Sequence, residues 1–235
     1  MSRLPLFISL IVLPMKVLFA QPVFPELVAD AFGSDQELIN GIQFANHYSR
    51  VDGHPYYLDE QFRPGSLHLN NEVYEGQRIR YNLFSQRIEV EYRSPDGHLN
   101  QFMSVPEHIP SFKLENRHFE RKQMGNEPPA YYQVISSEVI SCYIAWKKIM
   151  KLSRSDTSRE YQFSAPVSTC WLRLGKEMLP FHNRKDFIAI FPEEIRKDIS
   201  RLLKEQKYSF KQAGILEAER MILAAMQIYE REILP

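Results

Sequence analysis

Glycine and cysteine are scarce in this chain of 235 residues, which has nine of the first and two of the second. No Gly-rich loop of the kind that cradles a phosphate occurs, so nucleotide chemistry of that type has no foothold. The G-x-S-x-G elbow of serve-and-attack serine hydrolases is missing as well. Seven histidines are present, but His47, His54, His68, His98, His108, His118 and His182 show no H-E-x-x-H and no paired short spacing. Acidic pairs such as Asp59-Glu60 and Glu193-Glu194 are adjacent, so they point apart in a strand or cap a helix. Charge of one sign is also lacking: 29 Lys and Arg balance 29 Asp and Glu, which removes a general electrostatic case for nucleic acid or an anionic membrane. These absences leave no catalytic residue, no cofactor site and no metal site to nominate, and they predict a protein that is not an enzyme.

No apolar run reaches the roughly 20 residues of a spanning helix. The first twenty residues nevertheless form a recognisable leader. Met1–Ala20 has Arg3 near its start, an apolar stretch from Leu4 to Leu13, and Ala20 before Gln21. This pattern predicts a signal peptide cleaved at Ala20-Gln21. Pro14, Lys16 and Leu18 interrupt it, and an uncleaved anchor is the alternative. Cleavage removes Arg3 and Lys16, leaving 27 basic against 29 acidic residues, near −2. The mature chain would lie in the periplasm or at the outer membrane, with no membrane span. Its best later candidate, Ile215–Ile228, is broken by Glu217, Glu219 and Arg220.

Hydrophobic residues make up 44% of the chain and aromatics 12%, enough for a packed core. After a lead-in over residues 21–40, residues 41–191 read as antiparallel strands rich in Tyr, Phe, Ile and Val. The clearest pair is Arg78–Leu83 with Arg87–Tyr92. A turn at Phe84-Ser85 sets Arg80 opposite Glu89, Arg78 opposite Glu91 and Tyr81 opposite Ile88. The charged face of that pair is expected to be exposed, with each ion pair adding only a few tenths of a kcal/mol, roughly. Further strands are expected over Leu99–Val105, Phe112–Arg121, Tyr131–Ile135, Glu138–Met150, Tyr161–Phe163, Val167–Leu174 and Phe187–Phe191. Gly65, Gly76, Gly97 and Gly175 are expected at turns.

From Pro192 the period changes. Pro192-Glu193-Glu194 opens a helix whose stripe is Ile195, Ile199, Leu202 and Leu203. A second helix over Ile215–Ile233 has a broad apolar face suited to docking on the sheet. The fold class is therefore α+β: an antiparallel β-rich domain, as a curved sheet or partial barrel, with two C-terminal amphipathic helices over residues 192–235.

Cys142 and Cys170 sit in two β-rich segments with their midpoint at residue 156, inside the polar stretch Ser153–Ser158. A regular hairpin centred there would put the two sulfurs opposite each other. An oxidising compartment permits a disulfide, and a loop of about 28 residues closed by one is worth roughly 3–4 kcal/mol. Two reduced thiols buried as small apolar groups are the alternative.

Several short motifs recur in one order: Asn40-Gly41, Gly53-His54-Pro55-Tyr56-Tyr57, Phe62-x-Pro64-Gly65-Ser66-Leu67, Tyr74-x-Gly76 and Ile79-Arg80-Tyr81-Asn82-Leu83. The tail adds Phe191-Pro192, Lys204-Glu205-Gln206-Lys207 and Phe210-Lys211. In that order the chain resembles a family of uncharacterised exported proteins common in Bacteroidota, over about Asn40–Glu232, with Asn82 where Asp is more usual. The resemblance implies an envelope protein of antiparallel β type with a helical end, and it brings no activity. Two functions follow as expectations. One is a non-enzymatic binding or structural module that docks on an envelope protein partner. The other is a carrier of a lipid or another apolar ligand in a curved-sheet cavity.

Overall fold

The computed structural model describes residues 48, 50–69, 71–93, 99–104, 106–153, 161–210 and 213–233. The leader, the lead-in, His47, His98, Gly97 and most of the Ser153–Ser158 stretch lie outside them. The chain is α+β. Its strands are β1 (Val51–Asp52), β2 (Arg63–Leu69), β3 (Glu72–Asn82), β4 (Arg87–Arg93), β5 (Leu99–Met103), β6 (Ser111–Leu114) and β7 (Arg117–Lys122). There follow β8 (Ala130–Ser136), β9 (Ile140–Lys147), β10 (Met150–Leu152), β11 (Tyr161–Phe163), β12 (Val167–Leu174) and β13 (Glu177–Phe181). The helices are α1 (Arg184–Ile190), α2 (Glu193–Glu205) and α3 (Ile215–Ile233).

Ten strands form one antiparallel sheet in the order β13-β12-β9-β8-β7-β6-β2-β3-β4-β5. The two ends are edges, so the sheet is not a closed barrel. Its neighbours are nearly all adjacent in sequence, as expected of hairpins joined by short turns. A small second sheet, β1-β11-β10, continues the β9–β12 hairpin outward and contains one parallel pair, β1 with β11.

One face of the large sheet carries the core. Ile79, Tyr81, Ile88, Val90, Phe112, Phe119, Tyr131, Ile144, Trp146 and Leu172 are buried there. Ile195, Ile199 and Leu203 of α2 join the same cluster, with Ala218, Met221, Ile222, Ala225 and Met226 of α3. Both helices therefore bury their apolar stripes in the same core as the sheet. A second cluster, Met124, Tyr132 and Tyr143, lies on the other face under the loop between β7 and β8.

The β3–β4 register is the expected one: Arg78 faces Glu91, Arg80 faces Glu89 and Tyr81 faces Ile88. Three expectations need correction. Phe112–Arg121 is not one strand but the tight hairpin β6–β7, turned at Glu115-Asn116. Phe187–Phe191 is not a strand. It belongs to α1, whose N-cap Asn183 accepts a hydrogen bond from the Asp186 amide at 3.0 Å, a capping signal that outweighs the β propensity of its residues. Gly65 and Gly76 are not in turns. They mark the bulge where β2 and β3 shift register between Gly65 and Leu67. Gly76 supplies the positive φ of 71°, and a Cβ on Gly65 would meet the Lys113 carbonyl oxygen at 2.3 Å.

Candidate functional site

A convergence of polar side chains builds on the face of β3 and β4 turned away from the core. Alternation sends Arg80, Asn82 and Glu89 to that face, and solvent was the expected surroundings. Instead the segment between β1 and β2 folds across it. Tyr56 bridges to Asn82, the Tyr57 amide donates to the Tyr81 carbonyl at 2.9 Å, and the Leu83 amide donates to the Pro55 carbonyl at 2.8 Å. Residues 55–57 thus run beside the end of β3, where β2 no longer accompanies it. Glu89 is left only 1% exposed.

A carboxylate so buried must be matched, and it is. Arg80 Nε donates to Glu89 Oε2 at 2.7 Å, and Asn82 Nδ2 donates to Oε1 at 3.1 Å. The Tyr56 hydroxyl also bonds Glu89, and burial together with that carboxylate raises the phenol pKa. The Arg80 guanidinium lies between two rings, 4.1 Å from the centroid of Tyr56 and 4.3 Å from that of Phe62. Its Nη1 donates to the Glu60 carbonyl at 2.8 Å. Asn82 Oδ1 accepts from the amides of Phe84 and Ser85, each at 3.0 Å, and so shapes the β3–β4 turn. The set holds Glu89 closed among its donors; its chemistry is that of a rivet.

Beside this set the bend between β9 and β10 brings in Lys148, which is buried. Its Nζ donates to the His54 carbonyl oxygen at 2.8 Å and lies 3.4 Å from His54 Nδ1. Burial pushes the amine down to about 8. His54 stacks on Tyr56 with centroids 6.2 Å apart, and burial and the Lys148 charge lower its pKa. The motifs Gly53–Tyr57, Phe62-x-Pro64 and Ile79–Leu83, dispersed in sequence, therefore meet in one place.

A second polar set crosses the core. Gln133, 1% exposed, accepts at Oε1 from the Tyr57 hydroxyl at 2.7 Å and from Trp146 Nε1 at 2.9 Å. Its Nε2 donates to Glu219 of α3 at 3.3 Å, and Arg117 Nε donates to the same carboxylate at 3.1 Å. Arg117 also pairs with Glu115, which pairs with Arg63, which pairs with Asp59. This chain fixes where α3 sits on the sheet.

The other described histidines are dispersed. His68 faces the Ser111 hydroxyl at 3.4 Å, His118 faces Glu120 at 3.1 Å, His108 is in a single 3₁₀ turn, and His182 is exposed before α1. Among the described residues no three His, Cys, Asp or Glu side chains gather as metal ligands would. Among them, too, no helix is long and apolar enough to cross a membrane.

Cys142 and Cys170 are on neighbouring antiparallel strands, β9 and β12, and both are buried free thiols. The disulfide is not formed. Cys142 pairs with Leu172 and Cys170 with Ile144, so the hairpin centres one residue beyond 156 and the sulfurs sit diagonally on the same face. Diagonal neighbours are spaced too widely for a bond without backbone movement. Burial pushes both thiols up, Cys170 to about 11.

Exposed apolar side chains collect at the far end of the β9–β12 hairpin. Leu152 is 68% exposed, and its cross-strand partner Tyr161 is 42% exposed. Ile149, between Lys147 and Lys151 in sequence, and Val167, opposite Lys147, are exposed on the same hairpin. Phe84 reaches the same end, its ring 5.6 Å from Phe163. An open groove of about 460 Å³ between α1 and α2 is lined by Arg184, Lys185, Ile188, Ala189 and Arg196. Arg196 spends its donors on the carbonyls of Phe191 and Ala189, and Arg184 spends Nη2 on Ser200.

Sequence reasoning nominated neither Lys148 nor the buried Arg80–Glu89 pair. A signal for Lys148 was present. Ile140, Cys142, Ile144 and Trp146 alternate towards the core, and residue 148 is next in that phase. For Glu89 no local signal exists, because its cover comes from residues 54–62. Compared with known proteins, the chain finds no match: no family model, no curated protein and no solved structure is similar to it.

Proposed function

We propose that this chain is an exported, non-enzymatic binding module of the cell envelope that docks on a protein partner through the end of its β9–β12 hairpin. The observation carrying this reading is the exposed cross-strand pair Leu152 and Tyr161 on β10 and β11, with Ile149 and Val167 exposed on the same hairpin. Apolar side chains grouped on a hairpin favour association with another protein surface. Lys147 and Lys151, both exposed, flank the group, so the partner is expected to present an apolar surface rimmed by carboxylates. The polar cluster around Glu89 has a structural part in this reading: it holds residues 56–62 to β3 and β4, and Lys148 ties the hairpin to that segment through His54. Packing of α2 and α3 against the sheet favours the docking module over the apolar carrier, whose ligand would need that space.

Site-directed photocrosslinking in envelopes tests this. A photoreactive residue at Leu152 or Tyr161 should capture the same partner, and Lys176, in the turn at the opposite end of β12, should capture none. Leu152→Asp should abolish capture from Tyr161. Equal capture from Lys176, or a stoichiometric lipid in the purified protein with no crosslinked partner, would overturn the docking reading. N-terminal sequencing of the exported form should begin at Gln21; intact Met1 in a membrane fraction would instead support the anchor.

A further inference from the structure

The β9–β12 hairpin carries a free sheet edge. In the small sheet β1 flanks β11 on one side and β10 flanks it on the other, so β10 is an outer strand. The Ser164 amide donates to the Ile149 carbonyl oxygen at 2.9 Å, which makes that opposite pair a hydrogen-bonded one. Bonded and non-bonded pairs alternate along an antiparallel ladder. With Lys151 opposite Gln162, that phase turns the Lys151 amide and carbonyl towards β11 and those of Met150 and Leu152 outward. Upstream the same side of the strand is occupied. The Lys148 amide donates to the Leu83 carbonyl oxygen at 3.3 Å, and Gln86 Nε2 donates to the Trp146 carbonyl oxygen at 3.0 Å. Beyond Lys148 this side has no strand partner among the described residues. The outward amides and carbonyls of Met150 and Leu152 therefore stand beside the exposed side chains of Leu152 and Tyr161.

We propose that β10 is a strand-addition site: an extended segment of the partner pairs antiparallel along this edge, with an acidic residue opposite Lys151 and apolar residues opposite Met150 and Leu152. This rests on the docking reading above and names the chemistry of its partner. Backbone pairing supplies the attachment, because an unpaired edge is a template for another strand. Side chains supply the choice. Alternation puts Met150 and Leu152 on one face with their cross-strand neighbours Phe163 and Tyr161, and Lys151 on the other with Gln162. Apolar residues of the added strand extend the first face and cover Leu152, and a carboxylate opposite Lys151 makes a cross-strand ion pair on the second. A second copy of this chain fits badly. The antiparallel register that engages Met150 and Leu152 of both copies sets Lys151 directly against its own counterpart, a like-charge pair. The strand is only three residues long, so backbone bonds alone hold little and the side-chain match selects the partner.

The probe is a short fluorescent peptide of alternating valine and glutamate, added to the full chain and followed by anisotropy and by amide hydrogen exchange. Binding should slow exchange of the Met150 and Leu152 amides and leave the Lys151 amide, held by β11, as it was. The same peptide with lysine in place of glutamate should bind at least about tenfold more weakly. Met150→Pro removes an outward N–H and spares the ladder to β11, so it should weaken the glutamate peptide about fivefold or more at an unchanged melting temperature. No binding, binding without protection of the two amides, or equal binding of the lysine peptide would overturn strand addition in the unaltered protein. The docking reading is decided separately, by capture from Leu152 and Tyr161 in envelopes. Capture that persists undiminished in Met150→Pro, or that joins two copies of this chain, would overturn strand addition by an acidic partner segment and leave docking in place. No capture from the unaltered chain would overturn both.

Discussion

The Arg80–Glu89 pair offers the sharpest test of how the cover over β3 and β4 works. Glu89 is 1% exposed, and the Arg80 side chain is 13% exposed. The two ends of the pair should therefore respond unequally to truncation. Arg80→Met strands a buried carboxylate with Asn82 and Tyr56 as its remaining donors. It also removes the guanidinium held between Tyr56 and Phe62. Breaking one partner of a buried pair costs about 3–5 kcal/mol, so loss in that range is expected. Glu89→Gln keeps an oxygen for Asn82 and leaves Arg80, which can reach water, to be solvated; about 1–2 kcal/mol is expected. The double variant Arg80→Met with Glu89→Gln relieves the stranded charge and should be more stable than Arg80→Met alone.

The coupling energy from the four proteins should thus be about 1.5 kcal/mol or more, read from denaturant midpoints at a common m-value. Strictly additive losses, with coupling below about 0.5 kcal/mol, would mean that Glu89 is solvated in the native state and that the segment 54–62 does not seal the site. That result would refute the reasoning, because the burial of Glu89 is its only premise. A changed m-value in Arg80→Met would point instead to local release of the segment.

Three further outcomes are expected. Lys148 has a folded-state pKa of about 8, below its unfolded value near 10.5, so the unfolded chain binds more protons between them and stability should rise with pH across that window; Lys148→Met should lack the rise, and identical pH profiles of thermal midpoint would contradict it. Gly65→Ala sets a methyl 2.3 Å from the Lys113 carbonyl oxygen and 2.6 Å from Ile79 Cδ1, both in well-packed strands, so a loss of about 3 kcal/mol or more, or insoluble protein, is expected, and a wild-type melting curve would refute the close approach. Gln133→Ala leaves the Tyr57 hydroxyl and the Trp146 indole N–H without their acceptor, so about 2–4 kcal/mol should be lost in equilibrium unfolding, and a change under 1 kcal/mol would show that water takes its place.

What was legible in the sequence is what neighbours decide. The β3–β4 register follows from two local preferences that agree, apolar pairs on one face and opposite charges on the other, and the structure has it. The spans of β11, β12 and α3 follow likewise from short-range period and from the polar residues that bound them. The errors arise where a local preference competes with something else. In α1 the capping of Asn183 and the stop at Pro192 outweigh the strand propensity of Phe187 and Ile188. In β6–β7 two residues, Glu115 and Asn116, suffice for a turn, with Glu115 at a positive φ of 55°. The cysteine pair was placed by symmetry about a tip, and one residue of displacement at that tip moves every opposite pair by two.

The site was illegible for a different reason. Alternation says which side chains share a face but not what lies over that face. Arg80 and Glu89 were assigned to solvent because nothing within ten residues of either could cover them. The cover is Tyr56 and Phe62, and its placement depends on residues 55–57 continuing beside β3 beyond Arg63 and Ile79, where β2 ends. Gly65 lets β2 lie close against β6, its backbone too near the Lys113 carbonyl for any side chain. The end of β2 at Arg63 leaves the last residues of β3 without that neighbour, and residues 55–57 take its place. The Gly53–Tyr57 turn brings the aromatic cover over Glu89 and brings His54 to Lys148. Residues 54–62, 79–83, 89 and 148 are brought together only by the fold, which is why no single motif signals the buried charge pair or the buried amine.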